Sequence, residues 1–328
     1  MSDILDLSGL PVWANSLVVL ATIVVISLGA SWVVEAAARI AKRLGISELI
    51  IGLTVVAFGT SAPEFAVTIV AATRNQGDIS IGNIVGSNIF NLGFILGGCA
   101  LVRAIPISRA LLRRDGTVLG IITVVLFGLV GWDLRLDWYD GILLFAGLLV
   151  YLAFLFKQRR DGVDTEDDEG PVEASESLAR DGFLLVAGLV LVVGGSHMLV
   201  EGATAIARSF GISDWVIAVT VVAAGTSAPE FATSLAAVIK GKYAISAGNL
   251  VGSDIFNLLG VLGLAGMLNN MAVDSAARTS LAALCGMVFL VLIFMRTGWK
   301  VSRIEGLMLV LVAVARWGLD FSSRVPGP

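Results

Sequence analysis

The chain has 328 residues, of which 57% are hydrophobic and 15% are charged, and its mean hydropathy is +0.91. Soluble domains carry about a quarter charged residues, so this composition excludes an ordinary soluble protein. The net charge of −4 decides nothing further, because membrane orientation depends on where Lys and Arg fall along the chain.

Apolar segments of about 20 residues recur from one end of the chain to the other, and each is long enough to cross the hydrocarbon of a bilayer. They predict an all-α membrane protein. The segment before the first span contains Asp3 and Asp6 but no Lys or Arg, unlike a secretory signal, so we expect this span to be retained. The ten predicted transmembrane helices are 13–38, 47–74, 79–102, 115–132, 138–157, 181–207, 213–240, 245–268, 277–296 and 303–319.

The basic residues are distributed unevenly between the two sides of these spans. Sixteen Lys and Arg lie at the connections that follow spans 1, 3, 5, 7 and 9, whereas six lie on the other side. Cytoplasmic connections are enriched in Lys and Arg, so the first set is predicted to be cytoplasmic. The sequence therefore predicts a multi-pass protein of the plasma (inner) membrane with both termini outside.

A segment of the first half returns in the second half. Residues 45–64 match residues 211–230, which lie 166 positions later. Each half then holds five spans, and an odd number forces the second half to cross the membrane in the opposite direction. The pattern predicts two inverted five-helix repeats, 1–157 and 181–328, joined by an acidic cytoplasmic linker at 158–180.

The repeated segment contains a helix break followed by an acidic residue. Pro63 lacks an N–H and its ring clashes with the carbonyl four residues earlier, so the second span is predicted to break there. We expect the carbonyls of residues 57–61 to be released from helical bonding at mid-membrane, with Glu64 directly after the break. Pro229 and Glu230 repeat the arrangement, which predicts broken helices 2 and 7.

Two carboxylates at mid-membrane predict a cation site. An ionised Glu inside the bilayer costs at least about 2.5 kcal/mol, and neither segment contains a Lys or Arg that neutralises it. Carboxylate, hydroxyl and carbonyl oxygens are the ligands that Ca²⁺ accepts, whereas an all-oxygen set disfavours Zn²⁺ and Cu²⁺. A structural interpretation, in which each Glu caps the following helix, explains one Glu but not the duplicated combination of break, hydroxyls and carboxylate. The candidate ligands are Glu64, Glu230, Thr60, Ser61, Thr226 and Ser227.

A second repeated motif adds polar residues to spans 3 and 8. Residues 82–91 match residues 248–257 at the same offset. The serine and the last asparagine of each copy are four positions apart and share one helix face. Hydrogen bonding between helices without ion contact is the alternative, and it is the preferred interpretation for Asn88 and Asp254, which are rotated off that face. The candidate ion ligands here are Ser87, Asn91, Ser253 and Asn257.

The duplicated motifs Gly-Thr-Ser-Ala-Pro-Glu and Gly-Asn-X-Val-Gly-Ser-X-Ile-Phe-Asn closely resemble the alpha repeats of the Ca²⁺/cation antiporter superfamily, and best those of its Na⁺/Ca²⁺ exchangers. The resemblance implies that the motif glutamates and the carbonyls of the motif threonines bind Ca²⁺. It also implies Na⁺ sites built from the motif alanine carbonyl, the neighbouring hydroxyls and the serine of the following helix. The implied residues are Glu64, Glu230, Thr60 and Thr226 for Ca²⁺, and Ala57, Ala223, Thr60, Ser61, Thr226, Ser227, Ser87 and Ser253 for Na⁺, with Asn91 and Asn257 at the asparagine position.

The function implied is antiport of Ca²⁺ against Na⁺ by alternating access, with both ions competing for Glu64 and Glu230. Relatives of the K⁺-dependent branch carry Asp at the position of Asn257, so the resemblance implies a K⁺-independent exchanger. Two carboxylates carry a total charge of −2, which one Ca²⁺ neutralises, whereas three Na⁺ leave a net charge of +1. If three Na⁺ are exchanged for one Ca²⁺, as the resemblance implies, exchange is electrogenic. Spans 1 and 6 are expected to slide across a rigid core.

Three other function classes stay open. In a Ca²⁺/H⁺ antiporter the same glutamates carry protons. A cation channel also suits broken helices, although inverted repeats favour alternating access. An intramembrane hydrolase using Ser61 or Ser227 lacks a duplicated base, because His197 has no counterpart in the first half. We expect the transported ions and the lipid bilayer to be the partners of this protein, and we expect no cofactor and no nucleic-acid partner. The sequence leaves the oligomeric state open.

Overall fold

The computed structural model describes residues 10–158, 177–211 and 223–324. The helices in these ranges are α1 (Val12–Leu44), α2 (Glu48–Thr60), α3 (Ala62–Thr73), α4 (Gly77–Val102), α5 (Leu111–Asp133), α6 (Trp138–Gln158), α7 (Leu178–Ser209), α8 (Ala223–Thr226), α9 (Ala228–Ile239), α10 (Tyr243–Leu268), α11 (Ala276–Arg296) and α12 (Arg303–Arg324). Of these described helices, α2, α4, α5 and α10 contain π-helical turns.

Local sequence signals set the corner between α1 and α2. Gly45 ends α1 in the left-handed conformation, with a φ of 61°, which glycine adopts without steric cost. Ser47 then caps α2, because its side chain accepts a hydrogen bond from the backbone N–H of Ile50 at 3.2 Å. The second span therefore starts where the repeated segment begins.

Seven of the described helices are long and apolar enough to cross a membrane: α1, α4, α5, α6, α7, α10 and α11. Together, α2 and α3 make an eighth, with a bend of 52° between them. The first part of the predicted span 213–240 lies outside the described residues, as does most of the predicted linker 158–180. The fold is that of a helical membrane protein, and the count of ten spans in two inverted repeats stays a prediction.

The helices fall into a central and a peripheral group. In α10, 83% of the most apolar stretch is buried inside the protein, and in α4 67% is buried, whereas the values for α1 and α7 are 33% and 28%. The large core cluster includes Leu92 of α4 and Leu258 of α10. The two helices that carry the second repeated motif therefore form the centre of the molecule, and α1 and α7 pack against each other at its edge.

In the part of the chain that the structure describes, two short antiparallel strand pairs join the halves. Strand β1 (Ile105–Pro106) pairs with β4 (Lys300–Val301), and β2 (Arg135–Leu136) pairs with β3 (Met271–Ala272). Each pair takes one strand from the first half and one from the second. The two halves are thus hydrogen-bonded to each other at two separate corners.

The close contact between α2 and α10 depends on glycine. A Cβ atom on Gly52 would lie 2.9 Å from the carbonyl oxygen of Ile245, and one on Gly252 would lie 2.6 Å from the Cα atom of Leu53. Only residues without a side chain allow backbones to approach this closely. This contact brings the broken helix of the first half against the central helix of the second.

Candidate ion-binding site at the centre of the membrane domain

The break in the second span lies at Ser61. This residue has φ −78° and ψ 11°, between the end of α2 and the start of α3, and Pro63 occupies the first turn of α3. The backbone N–H of Ser61 still bonds to the carbonyl of Ala57 at 3.1 Å, and that of Phe65 bonds to the carbonyl of Ser61 at 3.0 Å. The prediction that all carbonyls of residues 57–61 are released is therefore wrong at both ends. Pro63 cannot donate to the carbonyl of Gly59, so the release is confined to the middle of that stretch.

The two glutamates occupy equivalent positions after the break. Glu64 lies in the first turn of α3, and Glu230 lies in the first turn of α9. Both side chains are 0% exposed. A helix N-terminus carries a partial positive charge, which favours a carboxylate in the first turn. Helix position accounts for part of the stabilisation of each buried carboxylate.

Each glutamate is bonded by a serine of the opposite half. The Ser61 hydroxyl donates to Oε1 of Glu230, and the Ser227 hydroxyl donates to Oε1 of Glu64, both at 2.9 Å. Ser61 and Ser227 stand at the two breaks, so each break lies against the carboxylate of the other half. We call Glu64, Glu230, Ser61 and Ser227 the glutamate–serine layer.

The second oxygen of each carboxylate has no hydrogen-bond partner within the described residues. This applies to Oε2 of Glu64 and to Oε2 of Glu230. The two carboxylates repel each other electrostatically, and no Lys or Arg in the described ranges forms an ion pair with either. Buried charged oxygens are costly unless a cation or hydrogen-bond donor compensates them. The layer therefore has the charge and the free acceptor atoms that a cation requires.

Asparagines that the sequence analysis did not single out hold the backbone of each glutamate. Asn83 Nδ2 donates to the carbonyl oxygen of Glu64 at 3.3 Å, and Asn249 Nδ2 donates to that of Glu230 at 3.5 Å. Asn249 also accepts a hydrogen bond from the Thr60 hydroxyl at 3.1 Å. The signal for this role was present in the sequence, since both asparagines directly follow the first glycine of the second motif.

A second buried polar layer lies on α4 and α10. Asn91 Nδ2 donates to Oδ1 of Asp254, and Asn257 Nδ2 donates to Oδ1 of Asn88, both at 3.0 Å. Asn88 Nδ2 donates to the backbone carbonyl of Asp254 at 3.1 Å. We call Asn88, Asn91, Asp254 and Asn257 the asparagine–aspartate layer. The hydrogen bonding between helices that is expected for Asn88 and Asp254 is observed. Their partners include Asn91 and Asn257, so these two residues are not separated from the candidate ligands on α4 and α10.

Three acceptor oxygens of the asparagine–aspartate layer are buried and have no partner within the described ranges. They are Oδ1 of Asn91, Oδ1 of Asn257 and Oδ2 of Asp254. Asp254 also lies near enough to Glu230 for their charges to repel. The two layers therefore belong to one polar region in the centre of the protein.

The other predicted residues lie around the glutamate–serine layer. Ser253 Oγ lies 3.5 Å from the carbonyl oxygen of Ala57, which links α10 to α2. Thr226 lies beside the carboxylate of Glu64, and Thr60 and Ser253 lie beside that of Glu230. Ser87 is buried on α4, and Ala223 is the first residue of α8.

Neutral oxygens form the larger part of the candidate ligand set. Within residues 10–158, 177–211 and 223–324, no group of three or more His, Cys, Asp or Glu side chains is placed to hold a metal ion. The region instead combines the two glutamates with hydroxyl, amide and carbonyl oxygens. Hard cations such as Ca²⁺ and Na⁺ accept such oxygens, whereas transition metals select nitrogen and sulfur.

Comparison with known proteins agrees with this chemistry. The sequence matches the family described as "Sodium/calcium exchanger protein" over residues 15–157 and 182–315. The inner membrane protein YrbG of Escherichia coli is 36% identical over 293 residues, which are 87% of this chain and 90% of that protein. The sodium/calcium exchanger MaX1 of Methanosarcina acetivorans is 32% identical over 340 aligned positions, covering 92% and 97% of the two chains.

A solved structure shares the architecture over nearly the whole chain. The sodium-calcium exchanger NCX_Mj, soaked with Na⁺ and Ca²⁺, superposes with a TM-score of 0.81 and is 28% identical in sequence. The match covers 96% of this chain and 99% of that one. On the match to the family and on this shared fold, the chain belongs to the sodium/calcium exchanger protein family of membrane antiporters.

Proposed function

We propose that this protein exchanges Ca²⁺ for Na⁺ across the inner membrane by alternating access. The observation that carries the proposal is the glutamate–serine layer. Two buried carboxylates lie in the first turns of equivalent helices, each accepts a hydrogen bond from a serine of the opposite half, and each has one oxygen without a hydrogen-bond partner in the described residues. The relatives named sodium/calcium exchangers support the choice of the two ions.

The proposed ion ligands are the residues named from the sequence. Glu64 and Glu230 bind either cation, so Ca²⁺ and Na⁺ compete for the same carboxylates. One Ca²⁺ neutralises their total charge of −2, whereas three Na⁺ leave a net charge of +1. Exchange of three Na⁺ for one Ca²⁺ therefore moves net charge across the membrane. Independence from K⁺ is proposed because Asn257 is not an acidic residue. The further ligands are Thr60, Ser61, Thr226, Ser227, Asn91, Asn257, Ser87, Ser253 and the carbonyls of Ala57 and Ala223.

The proposed moving unit consists of α1 and α7. These helices touch through glycines: a Cβ atom on Gly188 would lie 2.8 Å from the carbonyl oxygen of Gly29. Asp181 of α7 binds Arg39 of α1 at 2.6 Å and Arg43 at 3.2 Å. Tight packing and shared ion pairs favour movement of the two helices as one body, and neither of them carries a proposed ligand.

The topology is proposed from the charge asymmetry and the internal repeat. Ten spans form two inverted five-helix repeats, 1–157 and 181–328, with both termini outside and the linker 158–180 in the cytoplasm. The strand pairs that join the halves support a two-fold arrangement, because each contains one strand from each half.

The test is ⁴⁵Ca²⁺ uptake into proteoliposomes under imposed gradients of Na⁺, K⁺ or H⁺. An outward Na⁺ gradient should drive uptake without K⁺, and an imposed membrane potential should change the initial rate. Uptake driven by a pH gradient and indifferent to Na⁺ would instead identify a Ca²⁺/H⁺ antiporter. Flux that never exceeds electrochemical equilibrium would indicate a channel.

A further inference from the structure

One corner of the molecule gathers positive charge around a tryptophan. At the β1–β4 pair, the guanidinium carbons of Arg296, Arg109 and Arg113 lie 5.0, 5.6 and 5.9 Å from the ring centre of Trp299. The backbone carbonyl of Trp299 accepts a hydrogen bond from the N–H of Ile107 at 2.8 Å, which fixes the corner. We call Trp299 and these three arginines the Trp299 corner.

Within residues 10–158, 177–211 and 223–324, no ion pair compensates the charge of these three arginines. All three are exposed. The nearby carboxylate of Glu305 accepts hydrogen bonds from Ser302 and Thr297. Stacking on an aromatic ring stabilises each guanidinium by about 0.5–1 kcal/mol at an exposed site but leaves its N–H donors free. The corner therefore presents to an anion guanidinium donors and positive charge that no described carboxylate pairs with.

The corresponding corner on the other side shows that this composition is not required by the fold. There β2 pairs with β3, and Leu134 precedes β2 as Trp299 precedes β4, with φ values of 61° and 54°. In that corner the guanidinium of Arg278 is bound by the protein itself. It donates hydrogen bonds to the backbone carbonyls of Gly131 and Trp132 at 2.8 and 3.1 Å. A leucine thus suffices to build the turn, so the turn itself does not require a tryptophan surrounded by three arginines.

Apolar side chains continue from the corner along the neighbouring helices. Ile293 lies one turn before Arg296 and is 58% exposed, and Ile304 of α12 is 69% exposed. Val102, at the end of α4, is also exposed. In a membrane protein such residues face acyl chains, and tryptophan prefers the level of the headgroups. The anion that reaches this corner is therefore expected to carry an acyl chain.

We propose that the Trp299 corner binds the phosphate headgroup of an anionic phospholipid from the adjacent leaflet. Arginine presents a planar set of donors that matches phosphate oxygens, and basic pockets between membrane helices recognise such headgroups. Arg109 and Arg113 belong to the first half, whereas Trp299 and Arg296 belong to the second. A bound phosphate joins the two halves at the membrane surface and stabilises the folded protein. The proposal is independent of which ions are exchanged.

The test compares lipid binding to the purified full-length protein in detergent. Native mass spectrometry and thermal unfolding are recorded with dioleoyl-phosphatidylglycerol, with dioleoyl-phosphatidylcholine and with inorganic phosphate. We expect phosphatidylglycerol to bind about tenfold more tightly than phosphatidylcholine and to raise the unfolding temperature. Millimolar inorganic phosphate should leave this preference unchanged.

The variant Arg109→Gln/Arg113→Gln/Arg296→Gln should lose the preference. Trp299→Leu, which copies the residue of the opposite corner, should weaken it while keeping the turn. The matched control Arg74→Gln/Arg135→Gln removes two exposed arginines elsewhere and should retain it. Single arginine variants replace the triple variant if the latter does not purify as a monodisperse protein.

Equal affinity for the two lipids in the wild-type protein overturns the proposal, as does a full preference in the arginine variants. Displacement of phosphatidylglycerol by inorganic phosphate overturns the lipid assignment in favour of a soluble anion. Loss of Na⁺-driven Ca²⁺ uptake in Glu64→Gln, with lipid preference intact, separates this site from the transport site.

Discussion

The two buried polar layers of this protein differ in how closely they follow the symmetry of the internal repeat. In the glutamate–serine layer, the bond from Ser61 to Glu230 has an equivalent from Ser227 to Glu64, and both measure 2.9 Å. In the asparagine–aspartate layer, Asp254 stands where the first half has Asn88, so the layer has one carboxylate and no two-fold equivalent. In the proposed mechanism, an ion centred between the halves is bound by both glutamates, whereas the second layer has a carboxylate in one half only. This contrast suggests that divalent binding requires the symmetric layer and that the asymmetric layer adjusts which other ions bind.

The largest effect is expected from removing one of the paired carboxylates. Glu64→Gln or Glu230→Gln leaves a single negative charge to face a divalent ion and should lower Na⁺-driven ⁴⁵Ca²⁺ uptake at least about 100-fold. Initial uptake rates in proteoliposomes measure it. Glu48→Gln is the control, because that carboxylate lies at the start of α2 and pairs with Lys242. Normal flux in either glutamine variant would remove the glutamates from the mechanism.

The serines test how far the symmetry extends. Each donates to a charged carboxylate, and such bonds contribute about 1.5–3 kcal/mol, so Ser61→Ala and Ser227→Ala should each raise the Ca²⁺ concentration for half-maximal uptake about tenfold. The two values should agree because the bonds are equivalent. Ser80→Ala, which removes a buried bond to the carbonyl of Thr68, serves as the control. A large effect in one serine variant only would break the symmetry inferred for this layer.

Asp254 tests the asymmetric layer. Asp254→Asn makes this position identical to its counterpart Asn88. It removes the carboxylate, whose Oδ2 has no partner in the described ranges. We expect the Na⁺ dependence of uptake to shift several-fold, with a smaller change in Ca²⁺ dependence, because both glutamates remain. The exchanged variant Asn88→Asp/Asp254→Asn keeps the carboxylate in the equivalent place and should recover part of the difference. Unchanged Na⁺ dependence would reduce Asp254 to a packing role.

The smallest effect is expected outside both layers, at the ion pair that ties α1 to the end of α9. Lys240 Nζ lies 2.6 Å from Oε1 of Glu35, and the two side chains are 31% and 49% exposed. Exposed pairs contribute about 0–1 kcal/mol, so Glu35→Gln or Lys240→Gln should leave the unfolding temperature nearly unchanged and alter the exchange rate about twofold. The double variant should add nothing to either single one. Additive effects would show that the two residues act separately.

Much of the architecture follows from local sequence. Apolar length predicts the spans, and several described helices begin and end close to the predicted limits, as α4 at Gly77–Val102 does for 79–102, whereas α1 continues to Leu44, beyond the predicted end at 38. Pro63 predicts the break at the second span because the chemistry of proline is local. The predicted release of carbonyls over 57–61 is too broad, since helical bonding is observed two residues before and two residues after Pro63. Asn83 and Asn249 were overlooked as positioning residues, because their contacts run to a different helix.

The membrane class, the duplication, the helix break at Pro63 and the candidate carboxylates can all be predicted from the sequence, since they depend on composition and local backbone chemistry. Which partner each group meets depends instead on the packing of helices that are distant in the chain. The serine of one half binds the glutamate of the other because glycines let α2 pack closely against α10. Asp254 of α10, predicted to lie off the polar face, is joined to Asn91 of α4 across the contact between those two central helices. Contacts between distant segments depend on how helices cross, and that geometry is fixed by side-chain and backbone packing of the whole domain.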